Sequence, residues 1–68
     1  MITEIGIVAG DIWQYLEKRG SSEFSAIVKA VKRDKEIVLM SLGWLAREGH
    51  VVIEKKDSGY TISFNKAK

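Results

Sequence analysis

Few side chains in this sequence could do chemistry. His50 is the only histidine and cysteine is absent, so one chain cannot assemble a histidine cluster or a thiolate metal site. The nine carboxylates are Glu4, Asp11, Glu17, Glu23, Asp34, Glu36, Glu48, Glu54 and Asp57. They alternate with lysines as solvated faces do, and no pair stands out for acid–base work. A Ser/His/Asp set can be written around His50, but any chain with a histidine allows that; the plainer role is to cap or flank the end of a helix. Gly6 and Gly10 fall inside a helical pattern, not between a strand and a helix, so they do not form a phosphate-cradling loop. The expectation is a protein that is not an enzyme, with no catalytic residue, metal, cofactor or small-molecule substrate.

The chemistry left is that of binding. Lys29, Lys32, Arg33 and Lys35 cluster, with Asp34 the only acid among them, and Lys55 and Lys56 form a second basic pair. Such a set can contact several phosphates and would bind DNA with a steep dependence on salt. Taken singly, each lysine is at least as well explained as an ordinary solvated residue. A second candidate is apolar: Ile37, Met40, Gly43 and Trp44, with Leu39 beside them. Methionine adapts to irregular surfaces and tryptophan anchors interfaces. Protein interaction is therefore the alternative to DNA binding, with a homodimer as its simplest form. The competing reading is intramolecular: Trp44 folded under the wing or against the first helix, and Ile37 and Leu39 in the core. For Trp44 a contact within the chain is the stronger reading; for Met40 it is the weaker one.

Size and charge bound both ideas. Sixty-eight residues at a formal charge of +2 make one small domain, 1–68, with a modest core. A pI near 9.0 is compatible with nucleic acid without requiring it. No apolar run approaches the roughly 18 residues that span a bilayer, and no leader pattern is present, so a cytoplasmic protein without a membrane partner is expected.

The elements that must position these residues follow from periodicity. Residues 34–50, DKEIVLMSLGWLAREGH, read as one helix. Asp34 is a suitable N-cap, and Gly49 stands where a left-handed residue would end the helix. At about 100° per residue, Val38, Ser41, Leu42 and Leu45 share the inward face. Glu36, Met40, Gly43 and Arg47 point outward, with Ile37 and Trp44 at the edge. This outward face suits base reading poorly. Only Arg47 is a good reader, and it lies at the C-terminal end, whereas helix-turn-helix readers sit toward the N-terminus.

A first helix spans residues 2–19, capped by Thr3, with Ile5, Val8, Ala9, Ile12 and Leu16 inward and Gly20 as its stop. Gly6 and Gly10 cost on the order of 1 kcal/mol each against alanine. Their compensation would be close packing around Trp13 or Trp44, or a dimer contact. Residues 21–24 form a link or minimal strand, and Ser25 caps a second helix to Lys32 with Phe24, Ile27, Val28 and Val31 inward. After Gly49 the period falls to two. Val51 to Lys56 and Tyr60 to Phe64 make a hairpin around Asp57-Ser58-Gly59, laying Val51, Ile53, Tyr60, Ile62 and Phe64 on the helices. Asn65 to Lys68 is a polar, frayed tail.

Three helices followed by a hairpin is an α+β chain in the order of a winged helix-turn-helix, a fold associated with DNA binding and transcription regulation. Two segments add to this. Ala9-Gly10-Asp11-Ile12-Trp13-Gln14-Tyr15-Leu16 resembles an AG-x-IW-xx-L first helix, and Leu42-Gly43-Trp44-Leu45-Ala46-Arg47-Glu48 resembles an LGWLARE third helix. Both belong to a group of small, stand-alone winged helix-turn-helix proteins of bacteria and archaea with no established function. Ser41 stands where that group has alanine, and Gly49 where it has a polar residue. The resemblance implies the winged-helix fold over nearly the whole chain and brings no activity with it.

Overall fold

The computed structural model describes residues 2–65. The chain runs α1 (Ile2–Arg19), β1 (Ser21–Glu23), α2 (Phe24–Val31), α3 (Lys35–Arg47), β2 (Val51–Lys56) and β3 (Gly59–Phe64). The three strands form one antiparallel sheet in the order β1-β3-β2. This is the expected three-helix-plus-wing arrangement, with the link after α1 drawn into the sheet as a third strand.

Periodicity located the core. Val8, Ala9, Ile12 and Leu16 from α1 meet Val38, Ser41, Leu42 and Leu45 from α3, all buried, and Ile27, Val51 and Ile62 close the cluster. The Ser41 hydroxyl is the polar exception. It is satisfied locally, donating to the Ile37 carbonyl at 2.7 Å, so it can sit in an apolar layer without a distant partner.

The helix stops are built as their glycines suggested. Gly20 and Gly49 have φ of 83° and 81°. At Gly49 two backbone bonds close the end of α3: Gly49 N–H donates to Ala46 O at 3.1 Å and His50 N–H to Leu45 O at 2.9 Å. That pair of bonds is a Schellman motif, which satisfies carbonyls the helix leaves open. The turn between α2 and α3 has no glycine, and Lys32 takes the left-handed conformation instead, with φ 56°.

The helix starts depart from the expected caps. Asp34 occupies the N-cap position of α3 but its side chain makes no capping bond. Thr3 lies inside α1, which already begins at Ile2. Ser25 lies inside α2, whose N-cap position belongs to Glu23, again without a side-chain bond. The cause there is β1: paired with β3 through Glu23↔Thr61, the chain leaves the sheet directly into the helix, and no room remains for a cap at Ser25. Asn65 is not frayed. Its N–H donates to His50 O at 3.0 Å and its side-chain amide to Gly49 O at 2.8 Å. The rest of the expected tail, 66–68, lies outside the described residues.

The hairpin has the expected alternation, with Ile53 opposite Ile62 and Val51 opposite Phe64. Its coverage is uneven, however. Val51 and Ile62 are buried, while Ile53 and Tyr60, expected in the core, are 40% and 44% exposed. Ile62 lies on the middle strand β3, whereas Ile53, directly opposite it, lies on the edge strand β2, and Tyr60 and Ile53 line an open groove beside Phe24 and Leu39.

Three stability outcomes follow. Leu42→Ala should cost about 2–5 kcal/mol, a large share of the roughly 3–10 kcal/mol a chain this size holds, and urea melts should show the fold largely lost. Ser41→Ala should move the midpoint by less than about 1 kcal/mol, because the lost bond is local and alanine is the better helix former. Lys32→Gly should raise stability by about 0.5–1 kcal/mol by removing a Cβ from a left-handed backbone.

Candidate functional site

Three surfaces meet at α3. On its outward crest, Glu36, Met40, Gly43 and Arg47 are all exposed, Met40 at 42%. Neither the wing nor α1 covers Met40. Ile37 is different: expected at the edge of this face, it is 9% exposed and belongs to the core. The core shared by the three helices and the sheet extends to that edge position.

On the α1 side of the crest lies a groove lined by Gly6, Ala9, Gly10, Trp13, Trp44, Leu45 and His50. Trp44 leans toward α1, as the intramolecular reading expected, yet remains 48% exposed. Its ring sits 6.3 Å from that of His50, which stands 6.4 Å from Trp13 in an edge-on arrangement, and Trp13 in turn is 5.5 Å from Phe64. His50 thus serves as an aromatic spacer just past the end of α3. Gly6 and Gly10 do not accommodate a tight neighbour. A Cβ built on either would meet nothing within 4 Å, so close packing within the chain does not explain them.

On the wing side lies a second groove, between α3 and the hairpin tip, lined by Glu23, Phe24, Ser25, Lys35, Leu39, Ser58, Gly59 and Tyr60. The fold therefore brings Lys35 beside the wing turn. Lys29, Lys32 and Arg33 are exposed along the end of α2 and the following turn. Arg33 lies 3.9 Å from Asp11, on a surface where such a pair is worth little. The wing pair is split by strand alternation: Lys55 shares its face with Ile53 and Val51, whereas Lys56 points to the other face, 3.3 Å from Glu54. Arg47 stands apart from the basic turn, about 18 Å along α3 from Lys35 at 1.5 Å per residue.

Sequence reasoning missed Ile53 and Tyr60 as surface residues beside α3. No local signal distinguishes a position on an edge strand or at an open groove from one in the covered middle of a sheet. Among the described residues no three His, Asp or Glu side chains come together as a metal site, and no helix is long and apolar enough to cross a membrane.

Comparison with known proteins agrees with this architecture. A solution NMR structure of protein BT2368 from Bacteroides thetaiotaomicron matches with a TM-score of 0.79 and 31% identity, covering 91% of this chain and 76% of that one. The uncharacterized protein MJ1608 of Methanocaldococcus jannaschii is 37% identical over 62 residues, 87% of each chain. The family model described as winged helix-turn-helix domain (DUF2582) matches residues 1–64, and the chain belongs to that family.

Proposed function

We propose that this protein is a non-catalytic, cytoplasmic binding module that contacts DNA through its phosphates, in the manner of a transcription regulator with little base reading. The observation that carries this is the position of Lys35. It shares a groove with the wing turn at Ser58 and Gly59, which makes Lys29, Lys32 and Lys35 continuous with the hairpin, the two parts by which winged helices hold a duplex. Lys55, on the same side of the hairpin as Ile53, extends that edge. Arg33 and Lys56 contribute less, each having a carboxylate beside it, and Arg47 stands too far away to join them. The crest of α3 offers a glutamate, a methionine and a glycine to the bases, so affinity comes from charge and sequence preference is weak.

A second reading is favoured by a separate observation. Leu39, Met40 and Trp44 are 55%, 42% and 48% exposed on a single helix, a concentration that marks a protein contact more often than a bare surface.

The DNA reading has a direct test. Gel-shift titration at low salt should show binding to unrelated duplexes with similar affinity. Replacing Lys29, Lys32 and Lys35 together with glutamine should weaken all of them equally and reduce the slope of log K against log salt by about one per lysine. Absence of binding at low salt, or a triple variant that binds as well as the parent, would remove the proposal.

A further inference from the structure

The crest of α3 has a pattern that neither DNA binding nor the monomer's packing uses. Glu36, Met40, Gly43 and Arg47 follow one another at intervals of four, three and four residues. That is the spacing of a helix–helix seam, in which positions a and d of one helix meet d and a of an antiparallel partner. The opposite side of the helix, Val38, Ser41, Leu42 and Leu45, is consumed by the core, which leaves this seam as the free one.

The stripe is also self-complementary on reversal. Glu36 and Arg47 are equally distant from the point midway between Ser41 and Leu42, and so are Met40 and Gly43. Laid antiparallel on a copy of itself, α3 puts Glu36 of each copy opposite Arg47 of the other and Met40 of each opposite Gly43 of the other. The end layers are then two opposite-charge pairs. The two central layers each set a flexible thioether against a residue with no side chain. All four residues are exposed. A Cβ at Gly43 would meet nothing within 4 Å in the monomer, so a neighbouring chain has space to approach there. Neither Glu36 nor Arg47 forms an ion pair among the described residues.

We propose, on the reading of this face as a protein contact, that its occupant is a second copy of the chain, docked with the two α3 helices antiparallel about a two-fold axis through the Ser41–Leu42 midpoint. An isologous interface must be its own complement, and charges placed symmetrically about one point meet that requirement. An unrelated partner would not need it. Leu39 and Trp44, on the two flanks of the stripe, cover the seam from either side. In this dimer α3 cannot enter a major groove. The two basic turns instead project from opposite ends of the paired helices, roughly 20 Å apart at 1.5 Å per residue, so phosphates are met by the turns and wings alone.

The test is the mass of the full chain in solution by sedimentation equilibrium, with circular dichroism to confirm that each variant is folded. The expected parent mass is twice the 7.6 kDa of the chain. Glu36→Arg and Arg47→Glu should each weaken the dimer by about tenfold or more, since each creates two like-charge contacts across the axis. The double variant Glu36→Arg/Arg47→Glu should restore it, and Met40→Asp should abolish it. A parent that stays monomeric at the highest soluble concentration overturns the second copy as occupant. Loss of the dimer in Met40→Asp without rescue in the double charge variant overturns the antiparallel register but keeps the face as a contact. A dimer indifferent to Met40→Asp overturns both.

Discussion

The structure hangs on the packing of α3 against α1. Val38, Leu42 and Leu45 close on Val8, Ile12 and Leu16, each 3% exposed or less, and each such side chain is worth about 1.5–3 kcal/mol when fully removed from water. A chain of this length has no second core to fall back on. Two long helices with well-defined inward faces admit few ways of lying together, and the choice made here also decides what is left outside. Turning Leu42 and Ser41 inward turns Met40 and Gly43 outward.

The sheet is built onto that pair, not beside it. β3 runs in the middle, with β1 and β2 on either side, and its end is stitched to both helix termini. Phe64 N–H donates to Gly20 O at 2.8 Å, and Asn65 N–H to His50 O at 3.0 Å. Over the same junction Trp13 packs at a tilt against Phe64 and edge-on to His50. The base of the hairpin is thereby fixed to the ends of α1 and α3, while Ile53 and Tyr60, farther along it, stay partly open beside Phe24 and Leu39.

Charge and apolar surface are interleaved around α3. The crest carries Met40 and Gly43 between Glu36 and Arg47, the groove toward α1 is mostly apolar, and the groove toward the wing sets Leu39 and Tyr60 beside Lys35. The two kinds of surface call for different partners: polyanions bind by charge at low structural specificity, whereas an apolar surface gains only from a shape that excludes water.

The sequence alone determined those features whose cause is local. The inward positions of α1 and α3 follow from helical periodicity, the ends at Gly20 and Gly49 from residues able to take positive φ, and the hairpin from a change of period to two. Capping was legible only in part: Asp34 stands at the N-cap of α3 as its chemistry suggests, without a side-chain bond, whereas the earlier starts of α1 and α2 place Thr3 and Ser25 inside their helices. What only the tertiary structure decided was coverage. Ile37 is buried because the shared core extends to the edge of α3; Ile53 is 40% exposed although Ile62 opposite it is buried, because β2 is the edge strand and β3 the middle one; Asn65 is ordered because Gly49 and His50 offer it carbonyls. Periodicity states which way a side chain points relative to its own element. Whether anything waits there depends on the lengths and positions of other elements, which no local pattern encodes.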